Sequence, residues 1–266
     1  MKTRITFIIS ALCLLLPGVC WAQGTVSDLE SDFRGRLSVE ADHKLAKGLH
    51  LGLEAEGRFN DNFGSFSRFQ AGAGISYKAL PWLKLGGGYL FIGKINSSGE
   101  LKPRHRFYLD AKGTMKSGDW NFSLKERLQL THRNVSNPYS NTPNSLQLKS
   151  RLKAVYKGFG KIQPYALAEA RVLFNAPACT ATWDGEEYYG YSFNGYTDSY
   201  LNRIRGGLGV EYKLNKKSSI ELFSLTDYCY DKKAKTSVSL AGVSLESLTY
   251  KQQLNYTIGI GYKFSF

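Results

Sequence analysis

The chain has 266 residues, a formal net charge of +13, 14% aromatic residues, 27 Gly and only 7 Pro. After the amino-terminal segment, no stretch approaches the roughly 18 to 20 continuous apolar residues that a membrane-spanning helix needs, so a helical membrane protein is excluded. The strong basic charge leaves nucleic acid, an acidic membrane surface or a basic protein interior open, and the hydrophobic periodicity decides among them.

The amino terminus has the order of a secretory signal peptide. Two basic residues precede an apolar run over residues 5–16 and a small-residue site that ends at Ala22. We expect residues 1–22 to be removed, so that residues 23–266 form the exported domain with a formal charge of +11. Lipidation of Cys20 is the alternative form of processing.

The predicted elements begin with a hairpin. Between residues 33 and 41 every second residue is apolar or glycine, and the residues between them are charged or polar. This period of two predicts a strand with one apolar and one charged face. After a turn at residues 45–48 the alternation resumes over residues 49–59, and two such strands predict a hairpin.

The same alternation continues along the chain in about eleven segments, most of them about ten residues long, the length of a tilted strand that crosses a bilayer. An open edge in lipid would leave backbone groups unpaired at several kcal/mol each, so such a sheet must close. We therefore predict an all-β fold, a single antiparallel transmembrane β-barrel. The segments are approximately residues 33–42, 49–59, 68–78, 83–91, 104–112, 120–130, 146–156, 164–174, 202–214, 219–228 and 254–266.

The connections alternate in length. This pattern is typical of short periplasmic turns and long outer loops. Single-chain bacterial barrels usually have an even strand number, and eleven strands with a periplasmic carboxyl terminus would start the first strand outside the cell. We therefore predict 12 strands, with 10 as the alternative, the difference lying in residues 23–32 or 236–251. Tight turns are expected near residues 47, 80, 116, 158 and 215, and long loops near residues 62, 96, 137, 188 and 234.

The last strand carries apolar and aromatic residues on one face and ends at Phe266. This looks like the carboxyl-terminal signal of outer-membrane barrels, which the barrel-assembly machinery reads. The expected location is the outer membrane of a Gram-negative bacterium. The expected partners are outer-membrane lipid and the assembly machinery.

Four segments together resemble the outer-membrane barrel family called domain of unknown function 2490. They are Pro103–Asp110, Lys125–Gln129, Gln163–Ala170 and Asn202–Gly209. The resemblance covers essentially the whole exported domain. It implies a location and a fold, and the family has no established activity that could be carried over.

The charged face is the most informative feature for function. Arg or Lys facing lipid at the bilayer midplane costs about 2 to 4 kcal/mol, so this face should line the lumen. It either forms a structural ion-pair network that fills a narrow interior or makes a basic pore that prefers anions. The predicted lumen network comprises Arg34, Arg36, Glu54, Glu56, Arg58, Arg68, Arg104, Arg106, Asp110, Arg127, Arg151, Glu169, Arg171, Arg203, Arg205 and Glu211.

The segment 175–199 is rich in aromatic and acidic residues, which stack on sugars or bind cations in other proteins. It either contacts an outside ligand or packs on itself over the barrel mouth. The exported chain keeps Cys179 and Cys229, which either form one disulfide or remain free. The candidate ligand contacts are Trp183, Tyr188, Tyr189, Tyr191 and Tyr196.

A membrane-embedded lipid hydrolase is the enzymatic alternative, with His132 able to pair with Ser136 or Ser140. No nucleophile elbow accompanies this histidine, so no catalytic residue is assigned. No phosphate loop, zinc spacing or calcium loop occurs, so no cofactor or metal is predicted. Export and inward-facing basic residues argue against nucleic acid. The sequence favours a non-enzymatic pore or surface module.

Overall fold

The structure is a computed structural model that describes residues 25–96, 98–239 and 242–266. The predicted signal peptide, residues 1–22, lies outside the described residues. Within the described ranges every regular element is a strand, and no helix there is long and apolar enough to cross a membrane. The strands are β1 (Thr25–Val26), β2 (Glu30–Ala46), β3 (Leu49–Asn60), β4 (Ser65–Leu80), β5 (Leu83–Ile95), β6 (Leu101–Ser117), β7 (Trp120–Arg133), β8 (Asn144–Tyr156), β9 (Ile162–Ala176), β10 (Cys179–Trp183), β11 (Tyr188–Phe193), β12 (Asp198–Lys213), β13 (Ser218–Ser239) and β14 (Gly242–Ser265).

The strands close into one barrel. Neighbouring strands pair antiparallel from β2 to β9 and on through β12 to β14, and β14 then pairs with β2 in parallel. The wall therefore has 11 strands, β1 continues the line of β2 along β14, and β10 and β11 form a separate hairpin. The all-β barrel is confirmed, and the predicted even count is corrected to 11. An odd count requires the first and last strands to run the same way, which the parallel pair accommodates.

The two ends of the barrel differ in their connections. One end has the predicted tight turns, and we call it the short-turn end. At the opposite, loop end the predicted long loop near residue 62 is only the four-residue turn 61–64. The loop predicted near residue 234 is also wrong, because β13 and β14 stay paired as far as Ser239 and Gly242. Residues 236–239 and 242–251 thus extend these two strands and add no further strand to the wall.

The outer face of the barrel is apolar. Large aliphatic side chains stand on it with most of their surface uncovered, as at Leu109 (66% exposed) and Leu208 (68% exposed). Glu126 interrupts this face, and the Ser150 hydroxyl donates a hydrogen bond of 2.6 Å to its carboxylate. The alternation therefore turns its charged positions to the interior, as the strand period requires.

Glycines make room inside the barrel. A Cβ on Gly209 would lie 2.4 Å from the Tyr165 ring, and one on Gly259 would lie 2.2 Å from the Phe223 ring. Both rings therefore occupy the space that a side chain on a neighbouring strand would fill, and they form an apolar cluster with Leu225. The large inward side chains on this wall leave the centre of the barrel to the charged groups.

Candidate functional site

The interior of the barrel contains a cavity of about 590 Å³. Fifteen basic and seven acidic side chains line it, an excess of eight positive charges. This excess concentrates the basic character of the sequence in one enclosed space, where charges act more strongly on each other than in bulk water.

Most of the predicted lumen network lines this cavity. Three members lie outside its lining. Asp110 accepts hydrogen bonds from Arg127 at 2.6 and 2.7 Å, Arg104 lies on β6 directly opposite Arg133, and Glu211 accepts a hydrogen bond of 2.8 Å from Ser219. The members that line the cavity are Arg34, Arg36, Glu54, Glu56, Arg58, Arg68, Arg106, Arg127, Arg151, Glu169, Arg171, Arg203 and Arg205.

Several interior groups were missing from the predicted network. Lys149 stands two residues from Arg151 on the same face of β8, so the alternation could have identified it. Glu221 and Asp227 share the inward face of β13 and could have been found in the same way. All three line the cavity.

Part of the interior is an ion-paired belt built on shared carboxylates. Glu169, whose side chain is 1% exposed, lies 2.6 Å from Arg151, 2.7 Å from Arg203 and 3.6 Å from Arg205. Asp227 accepts hydrogen bonds from Arg205 through both of its oxygens. Buried charges are tolerated when they are paired in this way.

The other carboxylates of the belt are also shared between basic side chains. Glu56 lies between Arg36 and Arg58, Asp110 between Lys125 and Arg127, and Glu221 between Lys153 and Lys263. Together with Glu169 and Asp227, five carboxylates serve nine basic side chains. The belt itself is therefore net positive.

The strand register also places like charges directly opposite one another. The first basic row crosses β2 to β6 and consists of Arg36, Arg58, Arg68, Lys94 and Lys102. The second basic row crosses β7, β8, β9 and β12 and consists of Arg127, Lys149, Arg171 and Arg203. Like charges in directly opposed positions destabilise a sheet. The two rows therefore cost folding stability, which points to a role other than holding the barrel together.

Five cations that line the cavity have no acidic partner, and one of them, Lys94, is exposed. Among the residues that the structure describes, no carboxylate lies within 4.0 Å of any of them. Arg106 is repelled by Arg58 of the first row and by Arg171 of the second, so it lies in the field of both. We call the four that are less exposed than Lys94 the unpaired cations, and they are Arg68, Arg106, Lys149 and Arg171.

Neutral groups hold two of the unpaired cations. The Nε of Arg106 donates to the Thr131 hydroxyl at 3.0 Å, and the Nε of Arg171 donates to the Asn202 side-chain oxygen. Asn202 in turn donates to Asp231 at 2.6 Å. These contacts fix the guanidinium groups without neutralising them, so the Nη atoms remain for an oxyanion, whose geometry the guanidinium fork matches.

The candidate outer-loop aromatics take part in packing at the loop end. Trp183 lies 4.7 Å from Tyr188 between ring centroids, and the Tyr196 hydroxyl donates to the Pro138 carbonyl at 3.0 Å. Phe193 of β11 also lies 5.3 Å from Tyr139 between ring centroids, so the β10–β11 hairpin packs against the loop that joins β7 and β8. Tyr191 has a buried hydroxyl without a hydrogen-bond partner, and Tyr189 remains half exposed.

Cys179 and Cys229 are free thiols in the structure. Cys229, which we expected in a loop, lies within β13 and lines the cavity, where Asn255 donates to its Sγ at 3.7 Å. Cys179 begins the β10–β11 hairpin outside the barrel wall. Burial there raises the pKa of the Cys179 thiol.

The structure does not bring the proposed hydrolase pair together. The Nδ1 of His132 is hydrogen-bonded to the Asn144 side-chain oxygen at 2.8 Å, and the Ser140 hydroxyl contacts the Thr236 hydroxyl at 3.0 Å. Within the described part of the chain, no three His, Cys, Asp or Glu side chains come together in a way that could hold a metal ion.

Comparison with known proteins gives a family without an assigned activity. No curated protein matches the chain. The family model described as Protein of unknown function (DUF2490) matches residues 36–238, which run from within β2 to within β13 and make up more than half of the chain. The chain therefore belongs to this family of proteins of unknown function.

Proposed function

We propose that the chain is a non-enzymatic barrel of the Gram-negative outer membrane and that its lumen is a narrow pore with a preference for anions. The observation that carries the proposal is the pair of basic rows, whose like charges stand directly opposite one another around the interior. Such rows weaken the sheet. Their positive charges would attract a solute that carries negative charge, which explains why the barrel contains them.

The outer face supports membrane insertion. A soluble protein seldom exposes apolar surface of this extent, because apolar area in contact with water costs about 25 cal/mol per Å². In lipid the same side chains are solvated at no such cost. The predicted signal peptide and the aromatic carboxyl terminus at Phe266 support export and recognition by the barrel-assembly machinery.

The charge distribution supports anion preference. Rings of basic side chains attract anions and repel cations in a pore, and an enclosed low-dielectric wall strengthens the field. The ion-paired belt has fewer carboxylates than cations, so it adds no opposing negative ring. A permeating anion therefore meets a net positive potential along the interior.

The interior supports a narrow passage. Leu90 and Ile92 are fully buried on the inner wall, and the apolar cluster around Tyr165 occupies another part of it. At the loop end, the Asn137 amide donates to the Thr236 hydroxyl at 2.9 Å and so joins the β7–β8 loop to the long β13–β14 hairpin. These features restrict the proposed pore to small solutes.

The test is conductance of the refolded exported domain in planar bilayers. Under a KCl gradient, the reversal potential should show chloride permeating better than potassium. Replacing Arg68, Arg106, Lys149 and Arg171 together by Gln should move the reversal potential toward that of an unselective pore. The matched control removes two charges outside the lumen, Lys216→Gln with Lys217→Gln in the exposed β12–β13 turn, and should keep the selectivity of the parent.

Two results would overturn the proposal. A refolded barrel that inserts but carries no current is not a pore. A cation-selective current would show that the basic rows do not set the potential along the passage.

A further inference from the structure

We infer that the four unpaired cations form a binding site for one phosphate-type oxyanion, either free phosphate or the phosphate group of a small phosphorylated solute. This inference rests on the proposed function, because it names the class of anion that the lumen takes. The site takes Arg68 from the first row and Lys149 and Arg171 from the second, and Arg106 lies in the field of both rows.

The first argument is charge balance. A guanidinium cannot release its proton in the physiological range, so the three arginines among the unpaired cations need a counter-charge. The structure gives the neighbouring cations shared carboxylates and gives these four none. A bound anion provides the missing charge, and a doubly charged one balances more of it than chloride does.

The second argument is geometry. The four side chains line one cavity of about 590 Å³, within the range of about 300 to 1,000 Å³ that small-molecule sites occupy. Thr131 and Asn202 hold Arg106 and Arg171 through Nε alone. The remaining donors suit a group with three exposed oxygens, which phosphate monoesters have and a carboxylate lacks.

The third argument is an unsatisfied polar group in the same cavity. Gln70 is 8% exposed, lines the cavity and has a buried side-chain oxygen without a hydrogen-bond partner. Buried polar groups normally find a partner. A ligand hydroxyl, or the proton of a hydrogen phosphate, would satisfy this oxygen in the cavity that the four cations line.

The experiment is equilibrium binding to the detergent-refolded exported domain by isothermal titration calorimetry, with inorganic phosphate, glucose 6-phosphate, glucose and chloride as separate probes at matched ionic strength. Saturable one-to-one binding of phosphate, without binding of glucose or chloride, is expected. Tighter binding of glucose 6-phosphate than of phosphate would assign the site to phosphorylated solutes, and the reverse order would assign it to free phosphate.

Variants connect the binding to the site. Lys149→Gln with Arg171→Gln should weaken phosphate binding by at least about tenfold, since hydrogen bonds to charged groups are worth about 1.5 to 3 kcal/mol each. Lys149→Arg should retain it, and Lys216→Gln with Lys217→Gln serves as the matched charge control. The double variant should still fold, because it removes like-charge repulsion from the second row. A heat-modifiable band in electrophoresis checks that folding.

Binding of chloride as tight as that of phosphate would overturn the inference. Phosphate binding that is unchanged in the double variant would overturn it as well. An anion-selective current without saturable phosphate binding would refute the phosphate site and still support the pore. Phosphate binding in a barrel that carries no current would refute the pore and still support the phosphate site.

Discussion

At the residue scale, glycines on the inner face decide where the large interior side chains lie. Tyr165 lies between Gly209 and the Lys153 ammonium, whose Nζ is 3.4 Å from the ring centroid. A side chain at residue 209 would push the ring away from the wall. The space for anions near this wall therefore depends on a position that has no side chain.

The substitution Gly209→Ala should destabilise the barrel by about 1 to 3 kcal/mol, the usual cost of overpacking. The control is Gly206→Ala on the same strand, because a Cβ there meets nothing within 4 Å, and it should stay within about 0.5 kcal/mol of the parent. Denaturant midpoints of the refolded proteins measure both. Equal effects of the two substitutions would show that the Tyr165 ring does not lie on Gly209.

Cys229 offers a probe of the field inside the barrel. In a Cys179→Ser background, a negatively charged thiosulfonate reagent should modify Cys229 about tenfold faster than a positively charged one, after normalisation to free cysteine, because enclosed basic surfaces raise the local anion concentration by about 10-fold or more. Mass spectrometry gives the rates.

Cys179 is the matched control, in a Cys229→Ser background. Its raised pKa slows both reagents alike, since both react with the thiolate, so its normalised ratio should stay near that of free cysteine. A Cys229 ratio that equals the Cys179 ratio would contradict a basic lumen.

At the element scale, the parallel pair of β2 and β14 closes the wall. Leu37 and Ile260 are direct partners in this pair, and both side chains are on the outer face. Neighbouring strands lie about 4.7 to 4.9 Å apart, within the range that a disulfide spans.

In a background without the two native cysteines, Leu37→Cys with Ile260→Cys should therefore form a disulfide on mild oxidation. The control pair is Leu37→Cys with Leu222→Cys. Leu222 is the β13 partner of Ile260, so it lies two strands from Leu37, about 9 to 10 Å away, and should not cross-link. Nonreducing electrophoresis distinguishes the two. Cross-linking of the control pair alone, or of neither pair, would refute the 11-strand closure.

The sequence predicts the individual strands well because each one carries its own alternation, as residues 49–59 and 120–130 do. It does not predict the partner of the last strand, since local periodicity holds no information on long-range pairing. The even count came from the usual behaviour of bacterial barrels. Beyond Cys229 the polar residues of the paired strands weaken the pattern that marks a barrel strand, so the sequence predicts a long loop near residue 234.

The same limit applies to the candidate site. The alternation places Arg171 and Arg203 on the charged face, but only the register shows that they stand directly opposite each other. That register includes an irregularity between Leu201 and Arg203, which no sequence period reveals. The basic rows therefore become visible only once the strands are aligned.

At the scale of the whole molecule, the proposed pore requires that the apolar face meets lipid and that the charged face lines an enclosed lumen. A soluble sheet could carry the same alternation with its charged face in water. The two cases differ in closure and in solubility, and both properties can be measured on the exported domain without knowing its ligand.

The most direct measurement is heat-modifiable electrophoresis of residues 23–266 refolded into lipid vesicles, with far-UV circular dichroism on the same sample. We predict a β spectrum and a compact band in unheated samples that shifts to the mobility of the unfolded chain on boiling. The chain should form this band only with lipid or detergent. A monomer that is folded and soluble in water without either would contradict the account.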